Sequence, residues 1–236
     1  MQAATRQRLV ELVEPGLVRY RQGFALQEEL FEDLISDKRL SLSHQAEARD
    51  YIICCQHYPV FTLGKSGKED NLLVSHEELD RRGIDFVRTT RGGDITFHGP
   101  GQLVVYPIFD LDFYFTDIHR YLRTLEEAVI LTLADFSIVG SRIDGLTGVW
   151  VGERKICAMG VRASRWVVMH GLALNISPDL SYFALIVPCN IPDKEVTSME
   201  RELGLAPSLQ EVQARLLHHM SALFGFAWVA AVANPA

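Results

Sequence analysis

Two stretches of this 236-residue chain gather side chains able to do chemistry. The first, RGGDITFHGPGQLVVYP, runs from Arg91 to Pro107. Its glycines and Pro100 exclude a helix and let backbone N–H groups approach a ligand closely. Between them stand Arg91, Asp94, Thr96 and His98, polar groups that a plain linker has little use for. The second, GVWVGERKICAMGVRASRWVVMHGLALNI, runs from Gly148 to Ile176, with Pro188-Cys189-Asn190 close behind. Strand alternation predicts one shared face for Lys155, Cys157, Met159 and Val161. A lysine there either snorkels to the surface or is a desolvated amine able to release its proton. Cys189, after the apolar run Phe183 to Val187, reads first as a small buried hydrophobe and second as a nucleophile. His98 and His170 have core readings at least as strong as catalytic ones. These patterns point to a pocket and name no reaction.

Elements must position these groups. Leu9 to Val13 reads as a strand, Pro15-Gly16 as its turn, with Leu17 to Tyr20 resuming. Leu26, Leu30, Phe31, Leu34 and Ile35 mark one face of a helix. Tyr51 to Cys55 is a buried-strand run, broken at Pro59, and His57 and Thr62 on either side of that proline could both face a site. Ser75 with Glu78 has capping-box spacing for a short helix to Arg82, and the strand Asp85 to Thr89 delivers the chain into the Arg91 loop. Leu103 to Ile108 is the strand that follows it, so the loop hangs from a sheet edge, where binding loops commonly sit. A helix with Ile118, Tyr121, Leu122, Leu125 and Val129 on one face is capped by Thr116 or Asp117. Short β-like runs from Ser137 to Ile176, broken at Asp144-Gly145, Gly152-Glu153 and Ala163-Ser164, predict an antiparallel meander. A last helix begins at Ser208, with Glu211 completing a capping box and Val212, Leu216, Leu217, Met220 and Leu223 as its apolar face. One domain over residues 1–236 is the economical organisation, with Ala206-Pro207 as a hinge to a C-terminal helical subregion at 206–236.

Composition narrows the classes. The chain is 48% hydrophobic and 22% charged, enough for a sizeable core and wrong for disorder. A formal net charge of -7 argues against nonspecific nucleic-acid binding. No apolar run reaches membrane-spanning length, and MQAATRQRLVELVEPG lacks the apolar region of a secretory signal. Cys54, Cys55, Cys157 and Cys189 are therefore expected to be reduced thiols in the cytoplasm. Gly64-Lys65-Ser66 resembles the end of a phosphate loop, but Pro59 stands where that motif needs glycine. Cys54, Cys55 and His57 lack metal-ligand spacing, because one side of a strand cannot present adjacent cysteines. No metal is expected.

Longer motifs carry a resemblance. HYPVFTLG (His57 to Gly64), the Arg91 loop, GERKICAMGV, HGLALNI, and PCNI followed by Thr197-Ser198-Met199 are similar, in this order, to the octanoyltransferase family of lipoate biosynthesis. The match runs from about residue 15 to 205. The resemblance implies an α/β fold of the biotin and lipoate protein ligase kind, a mixed β-sheet flanked by helices. It implies a cysteine–lysine dyad, here Cys189 and Lys155, that moves an octanoyl group from octanoyl-acyl carrier protein to a lysine of a lipoyl domain. The acceptors it implies are the lipoyl domains of 2-oxoacid dehydrogenase E2 subunits and the glycine cleavage H protein. Arg91, Gly92, Gly93, Asp94, Ile95, Thr96, Phe97 and His98 would line the substrate pocket with Ala158, Met159, Gly160, Gly171, Leu172 and Ala173. No cofactor is implied, since the acyl group arrives activated. Three positions depart from the family pattern: Asn190 for Gly after the cysteine, Phe97 where Tyr is common, and Cys157 for a small residue.

A thioester donor suits a thiolate nucleophile, which at neutral pH needs a nearby base or cation because a free thiol has a pKa of roughly 8.5. Lys155 would take that proton and later help deprotonate the acceptor amine. Other readings stay open: an ATP-dependent lipoate or octanoate ligase of the same fold, a noncatalytic acyl-binding scaffold, and a cysteine hydrolase using His98 or His170 as base. Acidic carrier and acceptor domains would be repelled by the chain on average, so Arg91, Arg142, Arg154, Arg162 and Arg165 are expected to form a local basic rim.

Overall fold

The computed structural model describes residues 7–40, 49–187 and 195–229. Along the chain, β1 (Leu9–Val18) leads to α1 (Tyr20–Arg39), β2 (Arg49–His57) and β3 (Val60–Leu63), then to α2 (His76–Arg82) and β4 (Asp85–Arg88). β5 (Ile95–His98) and β6 (Gln102–Asp110) precede α3 (Ile118–Asp135), β7 (Val149–Val151), β8 (Arg154–Ser164) and β9 (Val167–Asn175). The chain continues with α4 (Met199–Leu203), α5 (Leu209–Phe224) and β10 (Ala227–Trp228). A seven-stranded mixed sheet has the order β10-β1-β2-β6-β9-β8-β7, and a three-stranded sheet the order β4-β3-β5. This is the mixed sheet flanked by helices that the resemblance implies.

The large sheet is buried on both faces. α3 and α5 cover one, where Leu125, Val129, Leu216 and Met220 pack with Val10, Ile52, Cys54, Leu103, Val105 and Ile156. α1 covers the other through Phe31, Leu34 and Ile35, packed on Ile53, Cys55, Val104, Tyr106 and Met169. Cys54 and Cys55 thus point to opposite faces, as alternation along a strand requires. α2 is capped as its spacing predicts, Ser75 Oγ accepting from Glu78 N, and Asp117 caps α3 by accepting from Arg120 N.

Four local readings are corrected. β1 is one strand: Pro15-Gly16 is an irregularity where the pairing with β2 shifts register between Val13 and Gly16, and Gly16 takes φ 75°. A bulge absorbs a proline without ending the strand. The β8–β9 turn falls at Arg165 and Trp166, φ 52° and 66°, because the ladder runs on through Ala163↔Val168 and Ser164↔Val167. Ser208 precedes α5 but makes no capping bond, its hydroxyl donating instead to Gln210 Oε1 at 3.1 Å. Leu223 is 38% exposed, and Phe224 takes the buried place beside it.

Candidate active site

The small sheet presents the Arg91 loop to the large one. Arg91 is buried, its Nη2 donating to the Thr62 carbonyl at 2.6 Å and to Thr62 Oγ1 at 2.9 Å. Asp94 pins the loop's other end, Oδ2 accepting from Asn71 Nδ2 at 2.5 Å and Oδ1 from the Ile95 N–H at 2.7 Å. Gly64 admits the loop: a Cβ there would sit 2.3 Å from the Gly93 carbonyl oxygen. Gly92 N donates to the Val161 carbonyl at 2.9 Å, so the loop crosses β8 there.

Below the loop lies a cleft with about 510 Å³ of empty space counted out to its mouth. From the loop and β5 it is lined by Arg91, Gly93, Asp94, Ile95, Thr96 and His98, and from β8 and β9 by Ala158, Met159, Gly160, Gly171 and Leu172. Ala158, Gly160 and Gly171, the two glycines paired across the β8–β9 ladder, make a floor of small residues on the α1 face. A Cβ at Gly160 would lie 2.8 Å from the Gly92 carbonyl oxygen. Three expected lining residues sit elsewhere. Phe97 stacks on Tyr182 at 4.5 Å inside the small sheet's core, Ala173 is buried in the α1 core, and Gly92 is spent on the crossing to Val161. The phenylalanine therefore removes no hydroxyl from the cleft.

Tyr20 and Tyr106 line the cleft unannounced by the sequence reading, together with His170, which that reading named only as a core residue or a base. Tyr20 stacks on His98 at 5.9 Å. His57 Nδ1 must donate to the Val18 carbonyl, 3.1 Å away, which leaves Nε2 to accept from Tyr106 Oη at 2.8 Å. Burial holds His57 down to about 4, against the pull of that carbonyl. His98 lies well below its ordinary range through burial, then through His57 and Arg91. Burial, then Arg91, Arg162 and Lys65, take His170 down to about 3. All three imidazoles are neutral at pH 7, and such depressed values make His98 and His170 weak general bases.

His170 is also strained, with φ 60° in the middle of β9. Its N–H donates to Gln27 Oε1 at 3.1 Å, its Nε2 lies 3.1 Å from Thr90 Oγ1, and its ring stacks on Phe24 of α1 at 5.6 Å.

Lys155 does not line the cleft itself, but a defect in the sheet turns it to the same side of the sheet. Val149 pairs with Cys157 and Trp150 with Lys155, so one step on β7 matches two on β8. Ile156 and Cys157 both pack in the α3–α5 core with Val149. Lys155 accordingly shares Trp150's face, opposite Cys157 and the same side as Ala158 and Gly160. Its Nζ stands 4.7 Å from the Trp150 ring centroid. The face shared by Lys155 and Cys157 is thus corrected: the bulge re-aims the amine, while Cys157 is fully buried and burial pushes its thiol far above the ordinary range, despite the Lys155 charge nearby.

Cys189 lies outside the described residues. Its flanks are anchored on both sides of the cleft. Val187 N donates to the Asn71 carbonyl at 2.8 Å, and Asn71 holds Asp94. On the other side Lys155 N donates to the Glu195 carbonyl and Thr197 N to the Lys155 carbonyl, both at 2.9 Å. A buried relay joins the distant motifs: His98 Nδ1 lies 3.3 Å from Gln102 Oε1, Gln102 Nε2 donates to Asn175 Oδ1, and Asn175 Nδ2 donates to the Thr197 carbonyl.

The expected basic rim is largely spent. Arg142 pairs with Glu126 and Glu127, Arg154 with Glu202, and Arg91 is buried. Arg162 lies over the Phe31 ring at 5.0 Å, and Arg165 is exposed at the β8–β9 turn.

Comparison with known proteins agrees with this architecture. Residues 19–221 match the lipoyl protein ligase A/B catalytic domain. An octanoyltransferase of Cytophaga hutchinsonii is 56% identical over 220 residues, covering 89% of this chain and 90% of its own. Among solved structures, the bipartite lipoate protein ligase of Thermoplasma acidophilum, studied with its E2 lipoyl domain, superposes with a TM-score of 0.68 at 20% identity, over 94% of this chain and 86% of the other. The biotin protein ligase of Aquifex aeolicus follows at 0.52 and 13% identity, over 92% and 69%. The strands, the Arg91 loop and the matched motifs place the chain in the lipoyl protein ligase A/B catalytic-domain family, among its octanoyltransferases, and it is an acyltransferase.

Proposed function

We propose that the protein takes an octanoyl group from octanoyl-acyl carrier protein onto Cys189 and passes it to a lysine of a lipoyl domain, such as those of E2 subunits and the glycine cleavage H protein. The carrying observation is the β8 bulge, which turns Lys155 onto the face where small residues and the Arg91 loop enclose the cleft. Cys189 follows Val187 by two positions, in the segment whose ends are tied to Asn71 and to the backbone of Lys155. The Cys189 thiolate attacks the thioester carbonyl, the carrier thiolate leaves, and it recovers the proton that Lys155 took from Cys189. The acceptor amine then attacks the acyl-enzyme, gives its proton to Lys155 and forms the amide, and Cys189 leaves as the thiol. Donors for the oxyanion come from backbone N–H groups near the nucleophile. Three small residues on the floor, Ala158, Gly160 and Gly171, leave room for an apolar chain. The whole chain serves as one catalytic domain, with 206–236 as its C-terminal helical subregion. Among the described residues no helix is long and apolar enough to cross a membrane, which suits a carrier-bound substrate met in the cytoplasm.

The test is transfer from octanoyl-carrier protein to an apo lipoyl domain without nucleotide. The proposal expects octanoylation of one acceptor lysine, and Lys155→Arg slower by roughly 10²–10⁴-fold, because arginine keeps the charge but cannot shuttle a proton. An absolute need for ATP would identify a ligase instead. A Lys155→Arg enzyme of parental rate would rule the shuttle out.

A further inference from the structure

Regular alternation on β9 sends Met169 to the α1 face, His170 to the α3–α5 face and Gly171 back to α1. Met169 obeys, packing with Phe31, and Leu172 obeys, packing with the opposite core. His170 does not. Its φ of 60° turns the ring onto the α1 face, where it stacks on Phe24 and lines the cleft while only 1% exposed. A non-glycine residue in that region costs on the order of 1–3 kcal/mol and persists only where its surroundings enforce it. Here Gln27 holds the N–H and Thr90 the ring. Strain maintained by two buried contacts, at a cleft residue, calls for a role.

Its position in the ladder supplies one. His170 pairs with Val161, the residue whose carbonyl receives the Arg91 loop through Gly92. From Ala158, the first residue of the floor, to Val161, β8 spans ~10 Å at ~3.3 Å per residue. With bond lengths of ~1.5 Å, eight extended carbons cover ~9 Å. An octanoyl chain laid on the floor therefore fills that distance, and each further pair of carbons adds ~2.5 Å. We propose that His170 is the end stop of the cleft and sets how long an acyl chain it accepts, an inference that rests on the cleft holding an acyl chain. The imidazole closes the cleft where the loop crosses β8, and the inverted backbone at residue 170 is what puts it there.

The experiment measures kcat/KM for hexanoyl, octanoyl, decanoyl and dodecanoyl thioesters of N-acetylcysteamine, with an apo lipoyl domain as acceptor. His170→Gly removes the ring and suits a positive φ, and His170→Asn leaves a shorter side chain that tolerates it. One methylene in an apolar pocket is worth roughly 10–200-fold. The octanoyl-over-decanoyl ratio should therefore fall at least tenfold in His170→Gly, with His170→Asn between it and the parent. A His170→Gly protein with parental melting temperature and parental chain profile would overturn the end stop, as would an equal loss on all four chains. A parent that transfers none of the four would remove the acyl reading itself, and the end stop with it.

Discussion

His57 is one of three buried imidazoles through which acid reaches the fold. Its ring is fully buried between Val18 and Tyr106, and it stays neutral, taking up no second proton until about pH 4. In the unfolded chain it titrates near 6.5. A depressed folded value contributes stability that is present above 6.5 and lost as pH falls toward 4, here ~2 kcal/mol between pH 7 and 5. Asp50 acts in the opposite sense: burial, partly offset by Arg8, raises it to about 6, so protonation below that value favours the fold. Comparing variants cancels Asp50. Glutamine can donate to the Val18 carbonyl and accept from Tyr106, so the melting temperature of His57→Gln should fall ~4–8 °C less between pH 7 and 5 than that of the parent. Parallel pH slopes would show that burial does not hold His57 neutral. At this scale residue types were legible and orientations were not. Lys155 stood out as a lysine in an apolar run, yet its face depends on a bulge opposite β7, which alternation along β8 alone cannot reveal. The inverted φ of His170 left no mark at all, because histidine gives no sign of positive φ in a strand pattern.

Among the elements, the Arg91 loop is the one whose placement decides the cleft, and it is admitted by glycines on its neighbours. Gly64 lies between Arg91 Nη1 and the Gly93 carbonyl, and a methyl group there has only backbone to push against on one side. Gly64→Ala should cost ~1–3 kcal/mol, the usual price of overpacking. It should also lower kcat/KM for an octanoyl donor by at least tenfold through a displaced loop, measured alongside thermal melting. Parental kinetics with a normal melting curve would mean that the loop does not shape the cleft. Local chemistry made several elements readable beforehand: Ser75 and Asp117 cap helices because their side chains meet only nearby backbone. Ser208 failed as a cap because Gln210, two residues on, competes for its hydroxyl. The turn at Arg165 and Trp166 was missed because neither residue advertises left-handed backbone.

On the scale of the whole molecule, the fold class was legible through motifs in a known order, whereas the convergence of those motifs was not. The relay from His98 through Gln102 and Asn175 to Thr197 joins segments that no local pattern connects. Charge behaves likewise. A net charge of -7 disfavours acidic partners on average, and the structure withdraws Arg142 and Arg154 into ion pairs. Under the proposed function, Arg162 and Arg165 near the β8–β9 turn are the rim arginines left for docking. Arg165→Glu should raise KM for carrier-bound donor several-fold and leave a small octanoyl thioester little changed. Equal losses on both donors would remove the docking role. The central claim, that Cys189 carries the acyl group beside Lys155, is tested most directly by intact mass after incubation with octanoyl-carrier protein and no acceptor, with the adduct mapped to a residue. The account predicts one octanoyl group on Cys189, lost in Cys189→Ala and kept in Cys157→Ala. An adduct on Cys157, or undiminished transfer by Cys189→Ala, would contradict it.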